Sequence, residues 1–169
     1  MEYLDVYDDN GELTGKRLIR WVDKLGEHEH FASIHVLLHN KEGRFLIQRR
    51  ALNKKTRPGT WDITCGAVTA GEDAFTSALR EVEEEDGIRL EKDDIKYIGR
   101  VMSNTGVFQH IYIAEHDFSL NDCSMQEEEV CELKLISPAE MIDFADTLQH
   151  RTEEYRNYVK SAVREKFNI

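Results

Sequence analysis

Apolar and polar residues alternate weakly over Tyr3–Tyr7 and then meet Asp9-Asn10-Gly11, so the chain is expected to open on a strand and a hairpin turn. Gly15–Glu29 has no clear period. Two short apolar runs, Ser33–Leu38 and Arg44–Gln48, flank Asn40-Lys41-Glu42-Gly43 and predict a second hairpin. Ala51–Pro58 reads as a basic loop, Trp61–Val68 as a buried strand, and Gly71 as the turn after it. A helical period then covers Glu72–Asp86, with acidic Glu72 and Asp73 expected in the first turn, where the dipole favours them, and Gly87 closing the last. Ile95–Met102, Val107–Ala114 and Val130–Ile136 read as strands. Ser137-Pro138 offers an N-cap and a first-turn proline, and a final helix is expected over Thr152–Phe167. Hairpins interspersed with helices, without βαβ regularity, predict an α+β fold in which a mixed β-sheet is sandwiched between helices (α/β/α). No repeat or linker interrupts the pattern, so residues 1–169 are expected to form one domain.

Composition narrows the class. The chain has 169 residues, 40% hydrophobic and 33% charged, enough for a substantial core. No apolar run approaches the ~20 residues needed to span a bilayer. Met1–Asp5 shows neither the basic nor the apolar region of a secretory signal, and no membrane association is expected. Three cysteines, Cys65, Cys123 and Cys131, lack CxxC spacing, so neither a disulfide scaffold nor a zinc site is expected and a cytoplasmic location is. The formal net charge of −11 argues against stable nucleic-acid binding, although a metal or a local basic patch can still attract a phosphorylated small molecule.

The helix Glu72–Asp86 carries the chemistry. At ~100° per residue, with Glu81 at zero, Glu85 lies near 40° and Glu84 near −60°, while Ala78, Val82, Phe75 and Leu79 fall between roughly 60° and 160°. One flank can pack on a sheet, and the next presents three carboxylates within about a turn. Like charges at these spacings repel, and a hard cation taking several oxygen ligands removes the penalty; Mg²⁺, with Mn²⁺ as a substitute, fits. Glu83-Glu84-Glu85 taken alone reads as a solvated acidic face.

Its surroundings change that reading. From Gly66 the chain runs five residues to Glu72, seven more, then Arg80-Glu81-Val82-x-Glu84-Glu85-x-Gly87-Ile88. This resembles the signature box of the Nudix (MutT-like) hydrolases at every constrained position. The resemblance implies the Nudix fold and water attack on phosphorus in a diphosphate linkage of a nucleoside diphosphate derivative or related organic pyrophosphate. It further implies that Glu81, Glu84 and Glu85 supply metal ligands and base, that Arg80 and Glu72 form a bracing ion pair, and that the Gly66 backbone comes close to the metal. The metal would neutralise phosphate charge and acidify the attacking water, and a carboxylate would take its proton. A further base or ligand often comes from a distant loop, for which Glu127, Glu128 and Glu129 are the candidates.

Upstream, Gln48–Trp61 resembles the segment preceding the active site of isopentenyl-diphosphate isomerases, which share the fold. Arg49, Arg50, Lys54 and Lys55 there concentrate positive charge suited to a substrate diphosphate. Those isomerases carry a catalytic Cys-Gly-His; here the triplet is Cys65-Gly66-Ala67, so the metal-binding histidine is missing while the glutamate run, degraded in the isomerases, is intact. The chain is therefore expected to be isomerase-like in sequence over about residues 3–140 and hydrolytic in chemistry, with Cys65 a small buried residue beside the site. An isomerase and a non-catalytic Nudix-fold binding module remain the alternatives. His28, His30, His35, His39 and His110 are expected to be structural or exposed, and Tyr3, Trp21, Phe108 and Tyr112 to be core. A homodimer is the oligomer left open.

Overall fold

In chain order the strands are β1 (Tyr3–Tyr7), β2 (Leu13–Ile19), β3 (Phe31–His39), β4 (Phe45–Arg50), β5 (Trp61–Asp62), β6 (Thr64–Ala67), β7 (Ile95–Met102), β8 (Val107–Glu115) and β9 (Val130–Ile136). The helices are α1 (Ala74–Asp86), α2 (Pro138–Thr147) and α3 (Glu153–Phe167). The computed structural model describes residues 1–169. β3 is buried on both faces and organises the molecule. It runs parallel to β8 and antiparallel to β6, within a mixed sheet ordered β5-β4-β3-β8-β7 that β9 extends by pairing with β4.

The alternation along β3 divides the core in two. Ile34, Val36 and Leu38 pack with Ala78 and Val82 of α1 on one face. Leu37, with Ile111 of β8, packs beneath Met141 of α2 and Tyr155, Val159 and Val163 of α3 on the other. Each fully buried aliphatic side chain of this kind contributes about 1.5–3 kcal/mol. The arrangement is the expected mixed sheet between helices. β1 and β2 form a separate hairpin.

Several local expectations are corrected. The hairpin expected from Ser33–Leu38 and Arg44–Gln48 pairs only at its tip, His39 with Phe45; beyond it β3 and β4 diverge. The expected single strand Trp61–Val68 crosses that fork. Asp62 pairs with Gln48 of β4, the strand breaks at Ile63, and Thr64 pairs with Val36 of β3. The aperiodic start at Gly15–Glu29 is half a strand, because β2 exposes nearly every side chain except Leu18 and so carries no alternation.

Helix α1 begins two residues later than its pattern predicts. Asp73 is its N-cap, accepting from the Thr76 amide at 2.7 Å, and Glu72 lies before the helix. Gly87 ends it in the left-handed conformation, φ 72°, donating its N–H to the Glu83 carbonyl. α2 starts at Pro138 with Ser137 as N-cap, as expected, and Thr152 caps α3.

Candidate active site

The fork between β3 and β4 opens into a cleft of about 1340 Å³. Carboxylates of α1 and the basic loop after β4 both line it. Glu81, Glu84 and Glu85 all face it, as does Gly66 of β6. Gly66 lies against α1; a Cβ there would collide with the Glu81 carboxylate, so glycine lets backbone and carboxylate approach.

Arg80 braces this corner. Its Nε donates to both Glu72 oxygens at 2.7 and 3.1 Å, forming the ion pair the motif implies. Its Nη1 reaches Glu81 at 2.9 Å and Glu84 at 3.1 Å, and Nη2 donates to Thr69 at 3.0 Å. One guanidinium therefore ties the pre-helix segment, the loop after β6 and two α1 carboxylates together. Glu85 is different. It is only 6% exposed, and its Oε2 accepts from the neutral amide of Gln48 at 2.9 Å. Burial first, then Glu81 and Asp86, raise its carboxyl well above the usual range. Burial likewise pushes Glu81 up to about 7, against the pull of Arg80. Two neighbouring carboxylates are thus desolvated with only one guanidinium between them.

No three acidic, histidine or cysteine side chains converge as a preformed cation cage, because Arg80 holds Glu81 and Glu84. The donors nevertheless suit a hard divalent cation. All are oxygens, buried Glu85 and half-buried Glu81 repel each other, and Glu85 has no cationic side-chain partner to offset its charge.

The basic loop divides. Arg50, Lys54 and Lys55 line the cleft. Arg50 is held by the Thr56 carbonyl at 3.0 Å, and Lys54 pairs with Glu129 at 2.6 Å. Arg49 is directed elsewhere, donating to the Gly59 carbonyl at 2.8 Å and approaching Glu132. Strand alternation places Gln48 and Arg50 on the cleft side of β4 and turns Arg49 away. Among the acidic candidates, Glu128 and Glu129 line the cleft and Glu127 does not.

Sequence reasoning missed the opposite end wall. Asp62, 1% exposed, accepts from Arg57 at 3.2 Å and Arg151 at 2.9 Å, and His150 Nε2 lies 3.3 Å from it and 2.7 Å from Arg57 Nη1, uniting the basic loop, β5 and the α2–α3 turn. Burial alone raises the Asp62 carboxyl; Arg151 and then His150 outweigh it and hold it below the usual range. Cys65 lies beside Arg151, at 3.8 Å, and burial with nearby Asp62 pushes its thiol up to about 12. Ala67 is buried against Leu4, Val6 and Leu18 of the hairpin.

The remaining histidines bond within the fold. His28 and His30 reach Asp9, His110 meets the Tyr97 hydroxyl at 3.0 Å, and His39 contacts the Asn40 carbonyl. Phe108 and Tyr112 are core, as expected. Trp21 and Tyr3 are not, being exposed, and Trp21 sits on the cleft rim.

Against known families, residues 29–158 match the NUDIX domain model. The chain belongs to the Nudix family. An uncharacterized Nudix hydrolase of Listeria monocytogenes is 34% identical over 142 residues, 83% of each chain. An isopentenyl-diphosphate Delta-isomerase of Streptomyces griseus is 38% identical over 90 residues, 50% of this chain and 43% of that one. A Deinococcus radiodurans protein of known structure superposes with a TM-score of 0.73 at 19% identity, covering 95% of this chain and 98% of that one. As a Nudix hydrolase, the chain falls within a family of pyrophosphate-hydrolysing enzymes.

Proposed function

We propose that residues 1–169 act as one domain that hydrolyses a diphosphate linkage in a nucleoside diphosphate derivative or related organic pyrophosphate, with Mg²⁺, or Mn²⁺ in its place. The carrying observation is the pair of carboxylates, half-buried Glu81 and buried Glu85, on a braced helix lining a cleft that Arg50, Lys54 and Lys55 also line. Glu81, Glu84 and Glu85 would hold the metal near the Gly66 backbone. When bound, the metal would neutralise phosphate charge and activate the attacking water. The chain does the rest. Arg50, Lys54 and Lys55 receive phosphate oxygens, Arg80 and Glu72 fix the pitch of α1, and a carboxylate takes the proton. Glu128 and Glu129 are the reachable second base or ligand.

Glu85→Gln keeps size and the Gln48 contact while removing the charge. It is expected to lower turnover of a diphosphate substrate by two or more orders of magnitude, measured as phosphate release, with an unchanged circular dichroism spectrum. Wild-type rates in this variant would remove Glu85 from the reaction.

Isomerisation of an isoprenoid diphosphate has the Streptomyces match on its side. Two observations oppose it: the thiol of Cys65 is pushed up to about 12, and Ala67 offers no ligand. A non-catalytic module would not need the complete glutamate set. Three free cysteines accord with a reducing, cytoplasmic setting, and no helix is long and apolar enough to cross a membrane.

A further inference from the structure

The cleft has a neutral wall besides its acidic and basic ones. In the parallel β3–β8 pair, Ser33 stands opposite Gln109 and His35 opposite Ile111, so Ser33, His35 and Gln109 share the α3 face of the sheet. Ser33, His35 and Gln109 line the cleft next to Cys65. Behind them, the Tyr155 hydroxyl of α3 lies 2.8 Å from His35 Nδ1, and His35 Nε2 lies 3.0 Å from Ser33 Oγ.

The direction of each proton follows from burial. Tyr155 is wholly buried and His35 is 1% exposed. A buried phenol that failed to donate would strand its proton at a cost of about 1–3 kcal/mol, so Tyr155 donates to Nδ1. Burial, and then Arg151, keep His35 neutral, far below its usual range. A neutral imidazole accepting at Nδ1 carries its proton on Nε2, and this donates to Ser33 Oγ. The Ser33 hydroxyl proton is then left over, at the cleft. Beside it is the Gln109 amide, 4% exposed, whose Oε1 is buried without a hydrogen-bond partner. Either rotation of that amide leaves a donor and an acceptor at this place.

We propose that Ser33 and Gln109 form a hydrogen-bonding subsite for the organic group attached to the diphosphate, selecting a group that presents a donor and an acceptor side by side, such as sugar hydroxyls or a nucleobase edge, over a hydrocarbon. The proposal rests on the diphosphate-hydrolase reading and adds a substrate class to it. A site built to hydrogen-bond its substrate discriminates strongly against analogues that leave its polar groups unpaired.

The test compares uridine 5′-diphosphate (base and sugar), ribose 5-diphosphate (sugar alone) and isopentenyl diphosphate (hydrocarbon) on wild type, Ser33→Ala and Gln109→Met. Wild type is expected to prefer a polar probe. In each variant the ratio of kcat/KM for that probe to kcat/KM for isopentenyl diphosphate falls roughly tenfold or more, as loss of one buried hydrogen bond dictates. A fall for both polar probes assigns the sugar, and a fall for uridine 5′-diphosphate alone assigns the base. Nitrogen-15 NMR of His35 should show the Nε2–H tautomer, and Tyr155→Phe should perturb it. An unchanged ratio, no wild-type preference for a polar probe, or an Nδ1–H tautomer overturns the subsite. Failure of the hydrolase reading looks different: wild type releases phosphate from none of the probes. The same three probes are then titrated calorimetrically, and the subsite falls if wild type binds no polar probe more tightly than isopentenyl diphosphate, or if the variants bind as wild type does.

Discussion

Cys65 is the residue at which the hydrolase and isomerase readings part. Its thiol lies beside Arg151, yet burial and Asp62 keep it protonated, the wrong state for a nucleophile or proton carrier. Cys65→Ala is therefore expected to retain phosphate release within about threefold, since a small residue is exchanged for a smaller one. Complete loss of activity would return the isomerase reading to first place. Asp62 is expected to behave oppositely. Replacing it with Asn leaves Arg57 and Arg151 around a neutral group, and breaking a buried pair of this kind costs about 3–5 kcal/mol. Urea denaturation should show that loss, and a variant as stable as wild type would mean the end wall is not held by Asp62. These residues also mark what the sequence could reveal. Glu81 and Glu85 were legible because the spacing of a single helix brings them together, and Arg80 and Glu72 because the family motif they resemble pairs them. Arg151 was not, because it reaches Asp62 from 89 residues away. Arg49 and Arg50 differ only in the phase of one strand, which a run of two arginines cannot disclose.

At the scale of elements, α1 is located by its ends. Asp73 caps the start, and Gly87 closes the end against Ser124. The helical period extended to Glu72 on the page because a capping segment has no periodicity of its own; Glu72 works from outside the helix, as the anchor of Arg80. The fork of β3 and β4 was equally hidden. Each strand is correctly marked by its apolar run, but pairing depends on partners far along the chain, β6 and β8 for one and β5 and β9 for the other. Gly87→Ala tests the closing turn. A left-handed backbone costs a side-chain-bearing residue about 1–2 kcal/mol, and the new Cβ would meet the Ser124 backbone amide at 2.7 Å. The midpoint of urea unfolding should fall accordingly. An unshifted midpoint would show that this turn does not constrain α1.

For the molecule as a whole, stability depends on pH through groups of opposite sign. Burial, and then Arg100, push His110 down to about 4 from an ordinary 6.5. The unfolded chain binds that proton first on acidification, so the His110 contribution is present above pH 6.5 and is lost as pH falls through 4. Asp86 runs the other way. Burial raises it to about 7, against a hydrogen bond from Thr64, so its contribution is present below pH 3.8 and is lost as pH rises through 7. Between pH 4 and 6.5 the two contributions oppose each other, so His110→Gln should leave the Asp86 effect unopposed and stability in that window should fall more steeply with rising pH than in wild type. A slope equal to that of wild type would show that His110 does not contribute to the pH dependence.

The buried α1 carboxylates make a claim on the same scale. Without a cation they oppose folding, and a divalent ion bound only by the folded state stabilises it by mass action. The decisive measurement follows phosphate release from a diphosphate substrate and the thermal midpoint, both against Mg²⁺ concentration, in wild type and Glu85→Gln. Wild-type activity is expected to require Mg²⁺ and its midpoint to rise with the ion, whereas Glu85→Gln is at least 100-fold slower, with a midpoint higher than the metal-free wild type and insensitive to Mg²⁺. Equal activity in the two proteins, or an identical Mg²⁺-dependent rise in both midpoints, would contradict a metal role for Glu85.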